Sequence, residues 1–325
     1  MFAVHGGAGY HIKGVEQHCK KAVKIALENS DVVEGVAYLE DIESFNCGYG
    51  SNLTKSGKVE CEAAVMISDR YIFGGVSVAD CLKNPIKAAH TIVSCIKENE
   101  SWELTPPMVI SGEGIRKWAS ENNFNTIPND DLISEGARKG YNSINKMLSL
   151  DTCGGCSITN DTKLTSTSCV SSGGIAFKQD GRVGHSVMFG AAIWSECTKS
   201  GQSVSISVSG FGEAIYRTHL AQRLSNALFE ADDNNEVFCY VVENFLRKEF
   251  LDSPHNSLFP SERLLCGGIV LFLNSNTCHS EIIAFHNTHN FVFAFFDGFR
   301  VRSCFSELKD EGDFMVSSHF IKYPF

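Results

Sequence analysis

The order of apolar patterns along the chain restricts the fold more than any other feature of the sequence. Apolar residues with helical spacing begin near residue 15 and recur at 32–42, 85–93, 111–122, 213–230 and 237–251. Runs typical of strands occupy 2–4, 59–68, 71–79, 152–159, 164–171, 187–194, 203–208, 267–273, 279–285 and 291–296. Helices therefore come in pairs between groups of mostly antiparallel strands, which predicts an α+β fold of layered sheets flanked by helices.

The composition excludes several classes of protein. Hydrophobic residues make up 43% of the 325 positions and charged residues only 20%, unlike a disordered chain, a coiled coil or a collagen-like fibre. The net charge of -10 and the lack of Lys/Arg runs longer than a pair argue against nucleic acid or an anionic membrane as a partner. No apolar stretch approaches the roughly 18 residues of a membrane-spanning helix.

The cysteines and the first residues indicate the compartment. Thirteen cysteines, from Cys19 to Cys304, lack the dense spacing of a secreted disulfide scaffold, and their odd number leaves at least one thiol free. Residues 1–7 have neither the basic nor the apolar region of a secretory signal. We expect an intracellular protein, cytoplasmic with nuclear entry possible, whose thiols pack as small apolar side chains.

Three short motifs suggest chemistry that the rest of the sequence does not support. Cys153 and Cys156 have C-x-x-C spacing, but no second ligand pair completes a zinc site. The segment 210–215 starts like a dinucleotide-binding loop and lacks its third glycine. Residues 5–9, a glycine-rich turn after the first strand, are similar to a lipase oxyanion turn, yet no G-x-S-x-G nucleophile motif is present. We therefore expect no cofactor and no metal.

Asp151 and Thr152 lie at a position suited to a latent nucleophile. They follow a polar segment, 123–150, which is the best candidate for a linker although 130–148 could hold a surface helix, and they directly precede a predicted strand. Cleavage between them would make Thr152 an N-terminal residue. A threonine hydroxyl is a weak nucleophile by itself, but a free α-amine with a pKa near 7.7–8.0 can act as its base.

Three clusters of small residues close nearby strands, at 170–174, 181–184 and 208–213. Backbone in such clusters approaches a ligand without obstruction by side chains, and serine hydroxyls and glycine N–H groups there can stabilise an oxyanion. Arg182 lies between two glycines, and its planar guanidinium suits a carboxylate, although an ordinary surface salt bridge is the simpler interpretation.

These motifs together resemble one family over nearly the whole chain. They are residues 5–9, 39–41, 45–53, 57–63, 83–85 and 112–114, together with Asp151-Thr152 and the three clusters. The family is the threonine-type N-terminal nucleophile hydrolases, which include plant-type asparaginases, isoaspartyl peptidases, aspartylglucosaminidase and threonine aspartase (taspase). The resemblance implies a single αββα sandwich domain spanning 1–325 that cleaves itself into an alpha subunit, 1–151, and a beta subunit, 152–325.

The resemblance also implies roles for individual residues. Thr152 corresponds to the nucleophile and Ser172 to a supporting hydroxyl. Ser209 and Gly210 correspond to the oxyanion-side pair, and Asn46 to an asparagine near the cleaved bond. Substrate-binding positions in this comparison are Arg182, as a carboxylate clamp, with Gly184 and Gly212. A homodimer of the precursor, or a heterotetramer of two alpha and two beta subunits, is the implied assembly.

Position 185 separates two substrate classes. Family members that act on small amides have R-V-G-D, whose aspartate holds the α-ammonium of the substrate, whereas this chain has His185. A histidine does not replace a carboxylate in that contact. The sequence therefore favours a threonine aspartase-like endopeptidase that cuts protein or peptide substrates after aspartate. The alternative is an isoaspartyl peptidase/L-asparaginase, and a non-catalytic binding module is a third hypothesis.

The chain departs from the family pattern at three places. Two extra residues lie between Thr152 and Ser172, which a hairpin loop tolerates. The segment before Asp151 is shorter than in vertebrate-type threonine aspartases and lacks their basic nuclear-import cluster. Residues from about 310 onward match no part of the pattern.

Overall fold

Thirteen strands and nine helices are assigned in the residues that the computed structural model describes, 1–99, 103–143, 151–160 and 162–321. The strands are β1 (Phe2–Gly9), β2 (Cys61–Ile67), β3 (Ile72–Ala79), β4 (Val109–Ser111), β5 (Cys153–Asn160), β6 (Leu164–Ser172), β7 (Ile193–Cys197), β8 (Gln202–Gly210), β9 (Cys266–Asn274), β10 (His279–His286), β11 (Asn290–Phe296), β12 (Val301–Glu307) and β13 (Met315–Phe320). The helices are α1 (Glu16–Asn29), α2 (Val32–Glu40), α3 (Pro85–Glu98), α4 (Glu113–Glu121), α5 (Asn129–Leu132), α6 (Glu135–Asn142), α7 (Gly212–Thr218), α8 (Leu220–Asp233) and α9 (Phe238–Phe245). None of the helices within the described ranges is long and apolar enough to cross a bilayer.

The strands form two sheets. The first has eight strands in the order β12-β11-β1-β5-β6-β2-β3-β4, and the second has five in the order β13-β10-β9-β8-β7. All neighbours are antiparallel except β3 and β4. Helices α1, α2 and α3 cover the outer face of the first sheet, and α8 and α9 cover that of the second. The predicted α+β class and its four-layer αββα sandwich are confirmed.

Apolar side chains fill three spaces between these layers. One core lies between α1–α3 and the first sheet, one between the two sheets, and one between the second sheet and α7–α9. Representative buried residues are Val23, Val36 and Ile86 in the first core, Ile269, Phe291 and Phe293 in the second, and Leu224, Leu228 and Phe272 in the third. Central strands of the first sheet are thus buried on both faces, which explains the nearly continuous apolar sequences of β2 and β11.

Helix α3 shows how local sequence sets an element. Pro85 occupies its first turn, where the missing N–H costs no hydrogen bond. Ile86, Ala89 and Val93 then recur at helical spacing and are buried against β2 and β3. The amphipathic pattern and the proline start, both readable from the sequence, agree with the observed boundary.

Several sequence predictions were wrong in detail. The glycine-rich residues 5–9 are not a turn, because β1 continues through them, paired with β11 and, as far as His5, with β5. The strand predicted at 187–194 begins only at Ile193. Strands β12 and β13 were missed, and β13 places the residues after 310 at the edge of the second sheet. The predicted linker contains α5 and α6, which agrees with the expectation that 130–148 could hold a surface helix, while 144–150 lie outside the described residues.

Glu40 is a fully buried carboxyl group beneath the strand that ends in the site. Its Oε1 accepts hydrogen bonds from the Ser171 hydroxyl at 2.6 Å and from the backbone N–H of Ile86 at 3.0 Å. Burial raises the pKa of Glu40 to about 8, although the Ser171 hydrogen bond opposes this shift. The group is therefore protonated in the folded protein at neutral pH.

This raised pKa predicts a pH-dependent loss of stability. Because the unfolded carboxyl titrates near 4.5 and the folded one near 8, the free energy of unfolding falls as pH rises between these values. Glu40→Gln keeps an oxygen acceptor and removes the titration. We expect its melting temperature, relative to the unmodified protein, to rise steadily from pH 5 to pH 8 in calorimetry. The variant Glu121→Gln, at an exposed position, should show no such trend. If the melting temperatures of Glu40→Gln and of the unmodified protein changed in parallel with pH, the prediction would be contradicted.

Candidate active site

Thr152 lies at the start of β5, almost fully buried between the two sheets. Because β5 and β6 pair with Cys153 opposite Ser171, Thr152 comes beside Ser172 at the end of β6. The two side-chain oxygens are 2.9 Å apart. Ser172 Oγ also accepts the backbone N–H of Gly174 at 3.0 Å, which fixes the orientation of the serine. The two hydroxyls that the sequence paired are thus in hydrogen-bond contact.

The backbone nitrogen of Thr152 has its own partner on the other sheet. It donates to Ser209 Oγ at 3.0 Å, and the same oxygen accepts the N–H of Ala8 at 3.0 Å. Cleavage before Thr152 would turn this nitrogen into an α-amine that is already held beside a hydroxyl. Gly210, the next residue, lines the same small cavity as Thr152.

A glycine allows the second sheet to come this close. A Cβ on Gly154 would lie 2.0 Å from Ser207 Oγ and 2.6 Å from His5 Nε2, so any larger residue would push β8 away from β5. Ser209 follows Ser207 on β8, two residues along and on the same face. Gly154, two residues after Thr152, therefore keeps β8 close enough to β5 for Ser209 Oγ to contact the Thr152 nitrogen.

Asn46 supports the loop that follows Ser172. Its Nδ2 donates to the Gly174 carbonyl at 2.8 Å, and its Oδ1 accepts the N–H of Asn52 at 2.8 Å. Its backbone carbonyl accepts the N–H of Gly173 at 2.8 Å. Asn46 and Asp151 also line one larger cavity, so the asparagine lies near the bond predicted to be cut.

Arg182 lines the cavity of Thr152 and is already paired. Its Nε and Nη2 donate to both carboxylate oxygens of Glu213 at 2.7–2.9 Å. Nη1 lies on the side of Gly174, which also lines the cavity. Sequence analysis missed Glu213, although a carboxylate directly after Gly212 in a predicted cluster was the signal that could have indicated it.

A second buried charge pair lies next to Arg182 and was also missed. Glu62 Oε1 accepts the N–H of Gly184, and the Glu62 carboxyl lines the cavity. Burial raises the pKa of Glu62, and the nearby positive charge of Lys178 opposes this rise. Burial also lowers the pKa of Lys178, whose Nζ donates to the Glu60 carbonyl. Of these four charged groups, Glu62 and Arg182 line the cavity, and Lys178 and Glu213 lie behind them.

His185 is buried and uncharged at neutral pH. Its Nε2 donates to the Val208 carbonyl at 3.3 Å. Burial, followed by the charge of Arg182, lowers the pKa of His185 to about 4. Gly212 borders both side chains, because a Cβ there would lie 3.0 Å from His185 Nδ1 and 3.0 Å from Arg182 Nη2. The position where small-amide family members have an aspartate thus carries no negative charge.

The cavity between these groups is small and partly open. It has a volume of about 10 Å³, room for no more than about one water molecule. Its lining residues are Glu62, Thr152, Ser172, Gly174, Ile175, Arg182, His185, Gly210 and Gly212. In this structure the cavity therefore has no space for a substrate.

The cysteine pair in β5 does not form a joint site. Cys153 and Cys156 are three residues apart in a strand, so their side chains point to opposite faces. Cys153 packs in the core beneath α1–α3, and Cys156 packs between the sheets. All 13 cysteines are free thiols. Across the described ranges, no group of three or more His, Cys, Asp or Glu side chains is arranged to hold a metal ion.

Comparisons with known proteins agree with this architecture. A family model described as asparaginase, Asparaginase_2, matches residues 1–248. The chain is 28% identical over 257 residues to the isoaspartyl peptidase/L-asparaginase of Xenopus laevis, covering 73% of this chain and 78% of the relative. It is 30% identical over 259 residues to that of Rattus norvegicus, covering 73% and 72%. A plant-type L-asparaginase of Pyrobaculum calidifontis is 29% identical over 272 residues, covering 75% and 85%. Because the family model spans well over half of the chain, the protein belongs to the asparaginase 2 family of N-terminal nucleophile hydrolases.

Proposed function

We propose that the protein is a self-processing hydrolase in which Thr152 becomes the nucleophile after cleavage of the Asp151–Thr152 bond, and that it cuts polypeptides after aspartate. The observation that carries the proposal is the double contact of Thr152. Its Oγ1 lies 2.9 Å from Ser172 Oγ and its nitrogen 3.0 Å from Ser209 Oγ. The hydroxyl of Thr152 is thus oriented by a serine of the first sheet, and the nitrogen that would become its α-amine by a serine of the second.

Self-cleavage would proceed through an ester. Thr152 Oγ1 attacks the carbonyl carbon of Asp151, the bond from that carbon to the Thr152 nitrogen breaks, and the nitrogen takes up the proton that the hydroxyl loses. Water then hydrolyses the ester. The products are a carboxylate at Asp151, which ends the alpha subunit, and a free α-amine at Thr152, which starts the beta subunit.

Substrate hydrolysis would use the same atoms with the new amine as base. The α-amine takes the proton of the Thr152 hydroxyl as Oγ1 attacks the substrate carbonyl, and it returns the proton to the leaving amine. Ser209 and the N–H of Gly210 stabilise the oxyanion. Water releases the acyl group from Thr152. Arg182 binds the side-chain carboxylate of the substrate aspartate through Nη1, while Glu213 holds the other guanidinium nitrogens in place.

Two substrate classes compete for this site. An internal aspartate has no free α-amine, and the buried, neutral His185 supports such a substrate because it offers no anion to an ammonium group. The second candidate is hydrolysis of β-aspartyl dipeptides or asparagine. The names of the relatives, isoaspartyl peptidase/L-asparaginase and plant-type L-asparaginase, favour this second activity. Assembly into a precursor homodimer or a heterotetramer of two alpha and two beta subunits is part of the proposal.

A substrate panel separates the two candidates. The purified protein is incubated with an N-acetylated peptide containing one internal aspartate, with L-asparagine and with a β-aspartyl dipeptide. We expect cleavage of the peptide after aspartate, detected by mass spectrometry, and little ammonia from asparagine. Ammonia release at a rate that rivals peptide cleavage would establish the second candidate and overturn the first.

The variant His185→Asp tests the physical reason for this choice. A carboxylate at this position would meet the α-ammonium of a small substrate, and the neighbouring Arg182 would offset part of its burial. A hydrogen bond to a charged group is worth roughly 1.5–3 kcal/mol, so we expect kcat/KM for asparagine or a β-aspartyl dipeptide to rise by about ten-fold or more. His185→Asn, of equal size without charge, is the matched control. Equal rates for the two variants would contradict the explanation.

A further inference from the structure

The side chain of Asp151 does not lie where a substrate aspartate is proposed to bind. It is buried beside the end of β1, with Oδ1 3.5 Å from His11 Nε2. Arg182 pairs with Glu213 instead. Asp151 and Arg182 also line two different cavities, the first with Asn46 and the second with Thr152.

Two glycines of β1 make room for Asp151. Strand β5 pairs with β1 only from Phe2 to His5, and beyond this point the chain of Asp151 runs alongside β1. A Cβ on Gly9 would lie 2.0 Å from Asp151 Oδ1, and one on Gly7 would lie 2.7 Å from Asp151 Cα. The glycine-rich segment thus accommodates the backbone and the carboxylate of the residue at the cut.

His11 is fixed in place by an amide clamp. Its backbone N–H donates to Asn290 Oδ1 at 2.8 Å, and Asn290 Nδ2 donates to the His11 carbonyl at 3.0 Å. The ring Nε2 is 3.2 Å from the Gly7 carbonyl oxygen, and because a carbonyl only accepts, Nε2 carries a hydrogen. This nitrogen therefore donates its hydrogen to Gly7, and Asp151 Oδ1 lies 3.5 Å from the same nitrogen, within ion-pair distance. Both His11 and Asn290 are buried.

From this arrangement we infer that the protein has two separate carboxylate-binding places, one for each reaction. His11, with Gly7 and Gly9, holds Asp151 during self-cleavage, whereas Arg182 holds the carboxylate of a substrate. His11 is a positioning residue, because it orients Asp151 so that the carbonyl carbon stays within reach of Thr152 Oγ1. The inference rests on the proposed self-cleavage. After the cut, His11 takes no part in turnover.

The test compares two variants of nearly equal shape in the full chain. His11→Gln keeps an N–H donor near Asp151, and His11→Glu replaces it with an anion that repels the Asp151 carboxylate. A misplacement of about 1 Å can cost on the order of 10²-fold in rate. We expect the Glu variant to cleave itself on the order of 10²-fold more slowly than the Gln variant, measured as fragment appearance after cell-free synthesis.

A second readout distinguishes positioning from general damage to the fold. Once the slow variant has been cleaved, its kcat and KM on a peptide substrate should match those of the unmodified protein. Arg182→Ala should behave in the opposite way, with normal self-cleavage and impaired hydrolysis. Equal self-cleavage rates for His11→Gln and His11→Glu would overturn the inference, as would equal losses in both reactions. An unmodified chain that never splits would refute the proposed function itself.

Discussion

Thr152→Ala is expected to remain a single chain of 325 residues and to hydrolyse no substrate. The variant lacks the hydroxyl that contacts Ser172 and that attacks the Asp151 carbonyl in the proposed mechanism. Loss of a nucleophile lowers kcat by a factor on the order of 10⁶ in a well-studied protease triad, so the residual rate should be undetectable. Intact-mass measurement of the purified variant checks that it remains uncleaved. The unmodified chain should give the fragments 1–151 and 152–325.

Thr152→Ser provides the matched control. Serine keeps the attacking oxygen and, after cleavage, the α-amine, so this variant should split at the same bond and retain hydrolysis. The methyl group of threonine fixes the rotamer of the hydroxyl, and its removal should slow both reactions without abolishing either. An uncut unmodified chain with full activity would contradict the role assigned to Thr152.

Arg182→Ala is expected to lower kcat/KM for an aspartate-containing peptide by about 10²–10³-fold. Truncation of one partner of a hydrogen-bonded charge pair costs roughly 2–5 kcal/mol, because the substrate carboxylate would enter the site without a cation. Glu213, the present partner of Arg182, is partly exposed, so water can solvate it in the variant. Steady-state kinetics on peptides with aspartate or asparagine at the cleaved position measure the loss.

One further variant and a comparison of the two peptides identify the cause of that loss in kcat/KM. Arg182→Lys keeps the charge without the planar fork, and we expect an intermediate kcat/KM. In Arg182→Ala the preference for aspartate over asparagine should also disappear. A variant that loses activity equally on both peptides would show that Arg182 supports the fold and does not read the substrate carboxylate.

Much of the fold could be predicted because its elements carry strong local signals. Helix α3 begins with a proline and has an apolar face. Strands β2 and β3, which pair as a hairpin, correspond to the adjacent runs predicted at 59–68 and 71–79. Other elements depend on neighbours that are distant in sequence. Residues 5–9 form a strand because β11 lies on one side and Asp151 on the other. The edge strands β12 and β13 have mixed polar sequences and half-buried side chains, so periodicity did not identify them.

In the candidate site, too, some residues could be identified from local sequence and others depend on segments distant in sequence. The family resemblance identified Thr152, Ser172 and Arg182, which line one cavity, because each lies in a recognisable cluster. It also identified Ser209, which contacts the Thr152 nitrogen. The roles of these residues remain predictions. The partner His11 could not be predicted, since it reaches Asp151 through the folding of distant segments. Glu213 was missed although its position directly after Gly212 was a usable signal. Glu62 lies in the 57–63 motif of the resemblance, but nothing in its strand sequence indicated that its carboxyl group would line the cavity.

The first sheet interleaves the two pieces that a cut at residue 151 would produce. Strand β1 of the first piece lies between β11 and β5 of the second, and β6 of the second lies against β2 of the first. Separation would require three ladders of backbone hydrogen bonds to break at once. After cleavage, the two fragments of each molecule would thus stay paired with each other and would not exchange with those of another molecule. When two isotopically labelled populations are mixed, no hybrids should form unless the protein first unfolds.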